Sequence, residues 1–166
     1  MRHHQTRKHR SKYQTAVACF KSGPVEGEIL AKQIGPTTVH IVATFSKLPK
    51  GKHGFHIHKA GDLRGEGCKG ACAHFHKGSP QPHGGYKTRR RHTGDLGNIE
   101  LSAKGHLKKT YTLKGLRIPE LWGRSIIVHA DEDDLGEGGH EDSHITGHSG
   151  SRIGCAIFGR GMECTI

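Results

Sequence analysis

Val39, Ile41, Ala43 and Phe45 occupy every second position of one run. That spacing constrains the fold more than any other feature of the chain, because only an extended strand sends alternate side chains to opposite faces. Residues 15–20 alternate likewise, with Thr15, Val17 and Cys19 against Ala16, Ala18 and Phe20, until Ser22, Gly23 and Pro24 interrupt them. Six further short runs fit the same pattern, at 26–33, 53–59, 98–101, 106–113, 125–129 and 152–158, most of them bounded by Gly or Pro. Eight short strands predict an all-β chain, a sandwich or barrel. The composition agrees: Gly reaches 25 residues and aromatics only 5%, which favours turns over long helices.

At 166 residues the chain has room for one domain with a single core. Residues 1–12 hold Arg2, Arg7, Lys8, Arg10 and Lys12, with no acid and no aliphatic residue apart from the initial Met. They are expected to form a disordered basic tail, leaving 13–166 as the domain. No apolar run approaches the roughly 20 residues of a membrane span, and the start of the chain lacks the apolar core of a secretory signal. The expectation is a protein that does not enter membranes and is cytoplasmic or associated with a particle. A net charge of +11 suits an anionic substrate or partner, and contact of the tail with nucleic acid is one possibility. Five cysteines, Cys19, Cys68, Cys72, Cys155 and Cys164, do not pair evenly, and a protein kept inside the cell would ordinarily hold them reduced.

Residues 60–93 and 131–151 break the alternation and are rich in Gly, His and charge. Loops of that length inside a small domain are usually functional or disordered, and their ligand content favours function. Just before the first of them lies GFHIH, residues 54–58. On a strand, His56 and His58 present two imidazoles to one face while Phe55 and Ile57 turn to the other. His129 closes another alternating run, and the first loop adds His74, His76, His83 and His92 before Asp95. Three imidazoles and a carboxylate satisfy tetrahedral zinc, and imidazoles with an open position suit a redox copper. A His-rich loop can also be simply solvated.

The motifs GFHIHKAGD, CKGACAHFH, PHGG, RHTGDLGN, VHADEDDLG and GSRIGCAI follow one another in this order. Together they resemble the copper/zinc superoxide dismutase family, over about Tyr13 to Phe158. The resemblance implies an eight-stranded Greek-key β-barrel with a zinc loop and an electrostatic loop, and an enzyme that disproportionates superoxide. It implies copper held by His56, His58, His74 and His129, and zinc held by His74, His83, His92 and Asp95. His74 would bridge the metals as an imidazolate and carry a proton. Asp133 would link His56 to His83, and Cys68 would pair with Cys155. Arg152 would hold the anion, Thr146 would narrow the channel, and Glu141 and Asp142 would shape the field at its mouth.

The chain departs from the animal-type pattern in several places. Ile145 stands where that pattern has a steering lysine, and His76 replaces an Asn and becomes a possible spare ligand. The basic run of Lys87, Arg89, Arg90 and Arg91 is expected to compensate by raising the overall field. Where the resemblance implies a homodimer with an apolar interface, the chain has Ala60, Trp122 and Arg160, so the dimer is expected to be altered or absent. A copper chaperone is a further implied partner. His140, His144 and His148 recur every fourth residue and would share a face if that loop were helical. An inactive relative would tend to lose copper ligands or Arg152, and all are retained. A nucleic-acid-binding protein is suggested by charge, yet there is no stacking aromatic array: Trp122 and the three tyrosines are scattered.

Overall fold

The computed structural model describes residues 14–162. The basic stretch 1–12 and Cys164 lie outside them. Among the described residues nine strands form: β1 (Thr15–Ser22), β2 (Val25–Gly35), β3 (Thr38–Lys47), β4 (His53–His58), β5 (Asp95–Ile99), β6 (Leu107–Lys114), β7 (Ser125–His129), β8 (Arg152–Ile157) and β9 (Gly159–Arg160). All pairings are antiparallel, in a five-stranded sheet ordered β6-β3-β2-β1-β9 and a four-stranded sheet ordered β5-β4-β7-β8. This is the expected Greek-key sandwich. No helix among the described residues is long and apolar enough to cross a membrane.

Each expected run is found, with shifts at the ends. β5 starts at Asp95, three residues early, because Asp95 pairs with His56 across the β4–β5 ladder. The two-residue β9 was not foreseen; it caps the exposed edge of β1 through Ala16 and Val17.

The alternation read from the sequence sorts the core. Val39, Ile41, Ala43 and Phe45 are all within 2% of complete burial, and Ala16, Ala18 and Phe20 are the inward face of β1. They meet Phe55, Ile57, Ile126 and Val128 from the second sheet. Phe45 and Phe55 pack edge to face at 5.7 Å between centroids, so β4 is locked to the first sheet by its apolar face. The opposite face of β4 points beneath the two long loops, which is why all six of its residues are buried. Within those loops, a short 3₁₀ segment spans Glu66–Ala71 and one helical turn, α1, spans Ser143–Thr146.

Candidate metal centre

Backbone pairing brings the histidines together. In β4, His56 lies opposite Ile127 of β7 and opposite Asp95 of β5, while His58 forms an isolated bridge with His74 of the first loop. His129 ends β7 opposite Arg152 of β8. His56, His58, His74 and His129 converge as one buried group. His74, His83, His92 and Asp95 converge as a second, and within each group the ligand atoms lie within 4.8 Å of one another. His74 belongs to both.

The outer nitrogen of most rings is pinned, and this aims the other inward. His58 Nδ1 donates to the Cys72 carbonyl at 2.8 Å, and His129 Nδ1 donates to that of Gly150 at 3.1 Å. His56 Nε2 and His83 Nε2 each lie 2.8 Å from one oxygen of Asp133, so that carboxylate ties the two groups together. Such outer partners fix both tautomer and ring angle. Three inward nitrogens are left buried without a hydrogen-bond partner: His56 Nδ1, His74 Nε2 and His83 Nδ1.

Spacing tests whether metals fit. Asp95 Oδ1 lies 2.9 Å from His74 Nδ1, 3.1 Å from His83 Nδ1 and 3.2 Å from His92 Nδ1. Tetrahedral zinc with bonds of about 2.0 Å separates its ligand atoms by about 3.3 Å. The contact to His83 Nδ1 is short yet makes no hydrogen bond, as expected of two atoms aimed at a common point. On the other side, His58 Nε2 and His129 Nε2 are 3.4 Å apart. Imidazole nitrogens with one carboxylate suit zinc, and four imidazoles suit copper, so the residues present fit both ions.

Electrostatics prepare the donors. Burial lowers the pKa of His56, His58 and His74, and takes His129 down to about 4, so these rings are neutral with lone pairs free for a metal. At Asp95 burial alone would raise the pKa, but contacts with His74, His83 and His92 outweigh it and hold the group far below the usual carboxylate range. Asp133 is held low in the same way by His56 and His83. His83 also resists burial: facing both Asp133 and Asp95, it is pushed up to about 9.

Arg152 sits half-buried beside this cluster, its charge helping to depress His129. Its Nη1 and Nη2 donate to the carbonyls of Cys68 and Cys72 at 2.5 and 2.6 Å. Cys68 is joined to Cys155 by a disulfide, so the carbonyl that aims the guanidinium is itself tethered to β8. Cys72 contributes its carbonyl; its thiol, like that of Cys19, is free and exposed. In the second loop Thr146 ends α1 and donates to Asp142 at 3.0 Å, and Glu141 is exposed.

Three expectations change. His76 is not a spare ligand: Nε2 donates to the Ser79 carbonyl at 2.7 Å and Nδ1 accepts from Thr93 N at 3.2 Å, which holds the loop. His140, His144 and His148 do not share a helical face, because α1 is a single turn. His140 stacks on His148 at 3.7 Å instead, with His148 bound to Asp142 at 2.6 Å. Arg160 is not an unpaired charge; its guanidinium lies 4.2 Å from the centre of the Trp122 ring.

Sequence reasoning missed Asn98, whose side chain donates to the Asp133 carbonyl at 2.8 Å and accepts from the Asp133 amide at 2.7 Å. Its only signal was its place in the GDLGN run. Arg91 was read only as surface charge, yet its Nη1 donates to the carbonyls of His92, Thr93 and Asp95.

Two groups sharing one histidine, set at the side of a Greek-key sandwich, are the donor sets that a two-metal protein would present. Residues 25–158 match the family model described as copper/zinc superoxide dismutase (SODC). The chain belongs to this family. The curated protein "Superoxide dismutase (Cu-Zn)" of Paramecium bursaria Chlorella virus 1 is 42% identical over 153 residues, which is 90% of this chain and 80% of that one. Among solved structures, the crystal structure of the clock protein EA4 is similar at a TM-score of 0.78 and 30% identity, covering 96% of this chain and 99% of that one.

Proposed function

We propose that the chain disproportionates superoxide to oxygen and hydrogen peroxide, with copper held by His56, His58, His74 and His129 and zinc by His74, His83, His92 and Asp95. The observation that carries this reading is the set of three buried inward nitrogens without hydrogen-bond partners, two of them on His56 and His74. A buried polar atom left unpaired is costly, and a metal removes that cost. Bound copper supplies a one-electron couple, while zinc supplies fixed charge without redox chemistry.

The chain's own residues do the rest. Two superoxide anions and two protons give one oxygen and one hydrogen peroxide, so each cycle needs an anion seat and a proton carrier. The Arg152 guanidinium is the seat: two of its N–H groups are held by the Cys68 and Cys72 carbonyls and the remainder can bind the anion. Burial lowers its pKa, but a guanidinium stays cationic at any working pH. His74 is the carrier. Its Nδ1 is committed to the Asp95 side, so Nε2 is the atom that takes up a proton and returns it to the departing peroxide. Thr146, Glu141 and Asp142, on the second loop, limit what approaches.

The same reading includes a homodimer in altered form, supported by the Arg160–Trp122 pair, since a cation resting on an indole face is less costly to bury than a bare one. It also includes copper delivery by a partner protein, and a cytoplasmic or particle-associated location.

The test is metal content by element together with superoxide removal by the metal-loaded chain. One copper and one zinc per chain are expected, and His129→Ala should lose copper and activity while keeping zinc. Unchanged superoxide removal in that variant would overturn the assignment.

A further inference from the structure

The first long loop returns toward His92 through Lys87, Arg89, Arg90 and Arg91. Folding sets the three arginines around two adjoining hollows, with Lys87 beside them. One lies among Lys77, Ser79, Gln81 and the three arginines; the other is bounded by Thr88, Arg89, Arg91 and Lys114. Arg89 and Arg91 line both and form the wall between them. No Asp or Glu lines either hollow among the described residues.

Surface cations are usually interspersed with acids. Here Lys87, Arg89 and Lys114 have no carboxylate within 4.0 Å among the described residues, and Arg90 has only the Gln81 amide oxygen at 3.4 Å. The one neutralised member is Lys77, paired with Glu120 at 2.7 Å. The dividing wall is also preorganised, since Arg91 is fixed by three backbone carbonyls and lies 5.4 Å from the centre of the Tyr86 ring. Mutual repulsion of like charges, which Glu120 relieves at Lys77 and Asp95 in part at Arg91 but no acid relieves at Arg89, Arg90 or Lys114, is best relieved by an external anion. Two seats with a shared cationic wall suit consecutive charges on one strand better than a single small ion.

We propose that these two hollows bind the phosphate backbone of a nucleic acid. Base reading has no part in it. Tyr86 exchanges hydrogen bonds with the Thr112 backbone, and its ring packs against Tyr111 and Arg91, so no aromatic face is free to stack on a base. Contacts to phosphate alone give affinity without sequence preference and a steep salt dependence. The site adjoins the metal centre, since His92 lines the second hollow and Arg91 binds the carbonyls of His92 and Asp95; Arg89 and Arg90, which the test alters, make no hydrogen bond to a residue of either metal group.

The experiment is fluorescence anisotropy of a short labelled DNA duplex of mixed sequence, titrated with the full metal-loaded chain over a range of salt. The double variant Arg89→Ser, Arg90→Ser should weaken binding about tenfold at low salt and flatten the slope of log affinity against log salt by about 2. Arg89→Lys with Arg90→Lys keeps the charge and should bind like the unaltered chain, which separates lost charge from a damaged loop. A full-length variant with serine at the five tail cations, Arg2, Arg7, Lys8, Arg10 and Lys12, should retain the loop's share of the slope. Wild-type affinity and slope in the double serine variant, or no salt-dependent binding once the tail is neutralised, would overturn the proposal.

Discussion

Gly147 follows α1 with φ of +71°, and a methyl group there would overlap both Asp133 Oδ1 and His83 Nε2. Those two atoms are hydrogen-bonded at 2.8 Å and fully buried, so neither can swing aside as a flexible side chain would. Gly147→Ala should therefore incur two separate costs. Forcing a side chain into the left-handed region costs about 1–2 kcal/mol. Parting a buried, charged pair costs about 3–5 kcal/mol, because it leaves Asp133 without one of its partners. The variant should lose about 4 kcal/mol or more of stability in all. Loss of the Asp133 contact should also weaken zinc binding about 10–100-fold, since that carboxylate orients His83. Gly139 is an internal control. It lies in the same loop with φ of +74°, and a methyl there meets nothing within 4 Å, so Gly139→Ala should show the first cost alone and ordinary zinc affinity. Denaturant unfolding of both variants gives the stabilities, and competition with a chromophoric chelator gives the zinc affinities. Equal destabilisation of the two variants, with zinc affinity unchanged in Gly147→Ala, would refute the overlap argument.

Other consequences can be measured directly. Cys155→Ser opens a link between residues 87 apart in sequence and should cost on the order of 4 kcal/mol by loop entropy; unaltered unfolding in denaturant would contradict it. Its activity should fall too, because the Cys68 carbonyl that aims Arg152 loses its tether. Superoxide removal by the wild type should slow as ionic strength rises from low to physiological salt, because a +11 chain attracts an anion through a field that salt screens. A flat profile would sink that claim. Tyr111 is 1% exposed and its buried hydroxyl lacks a hydrogen-bond partner, so Tyr111→Phe should be neutral or stabilising by about 1 kcal/mol; a clear loss of stability would show that the hydroxyl is satisfied.

The parts legible in the sequence are those with a period or a motif. Alternation located β3 and the face of β4 that carries His56 and His58, because a half-buried strand leaves that trace whatever surrounds it. The start of β5 was not legible. Asp95 reads as a loop carboxylate, and only its pairing with His56 draws it into the sheet. The stack of His140 on His148 was invisible for a similar reason: spacing of four suggests a helix, but the chain turns at Gly147 and sets together residues eight apart. Asn98 and Arg91 escaped because they act through backbone groups, and a side chain that binds a carbonyl leaves no partner to find in sequence.

The arrangement makes the two halves of the centre unequal. Three of the four residues proposed for copper, His56, His58 and His129, stand on β4 and β7, whose other faces are locked into the core. They are placed when the sandwich folds. Three of the four proposed for zinc, His74, His83 and His92, come from a 34-residue loop, and only Asp95 belongs to a strand. That loop is held by backbone contacts such as the His58–His74 bridge, by the disulfide at Cys68 and by Arg91. Damage to the loop should therefore reach the copper side through two connections. One is His74, which belongs to both groups; the other is Asp133, which shares its oxygens between His56 and His83. Because Asn98 clamps the backbone of Asp133 from β5, the second connection is anchored to the sandwich rather than to the loop it steadies. A chain that loses zinc by loop damage should thus keep three copper donors near their places and lose the proton carrier first.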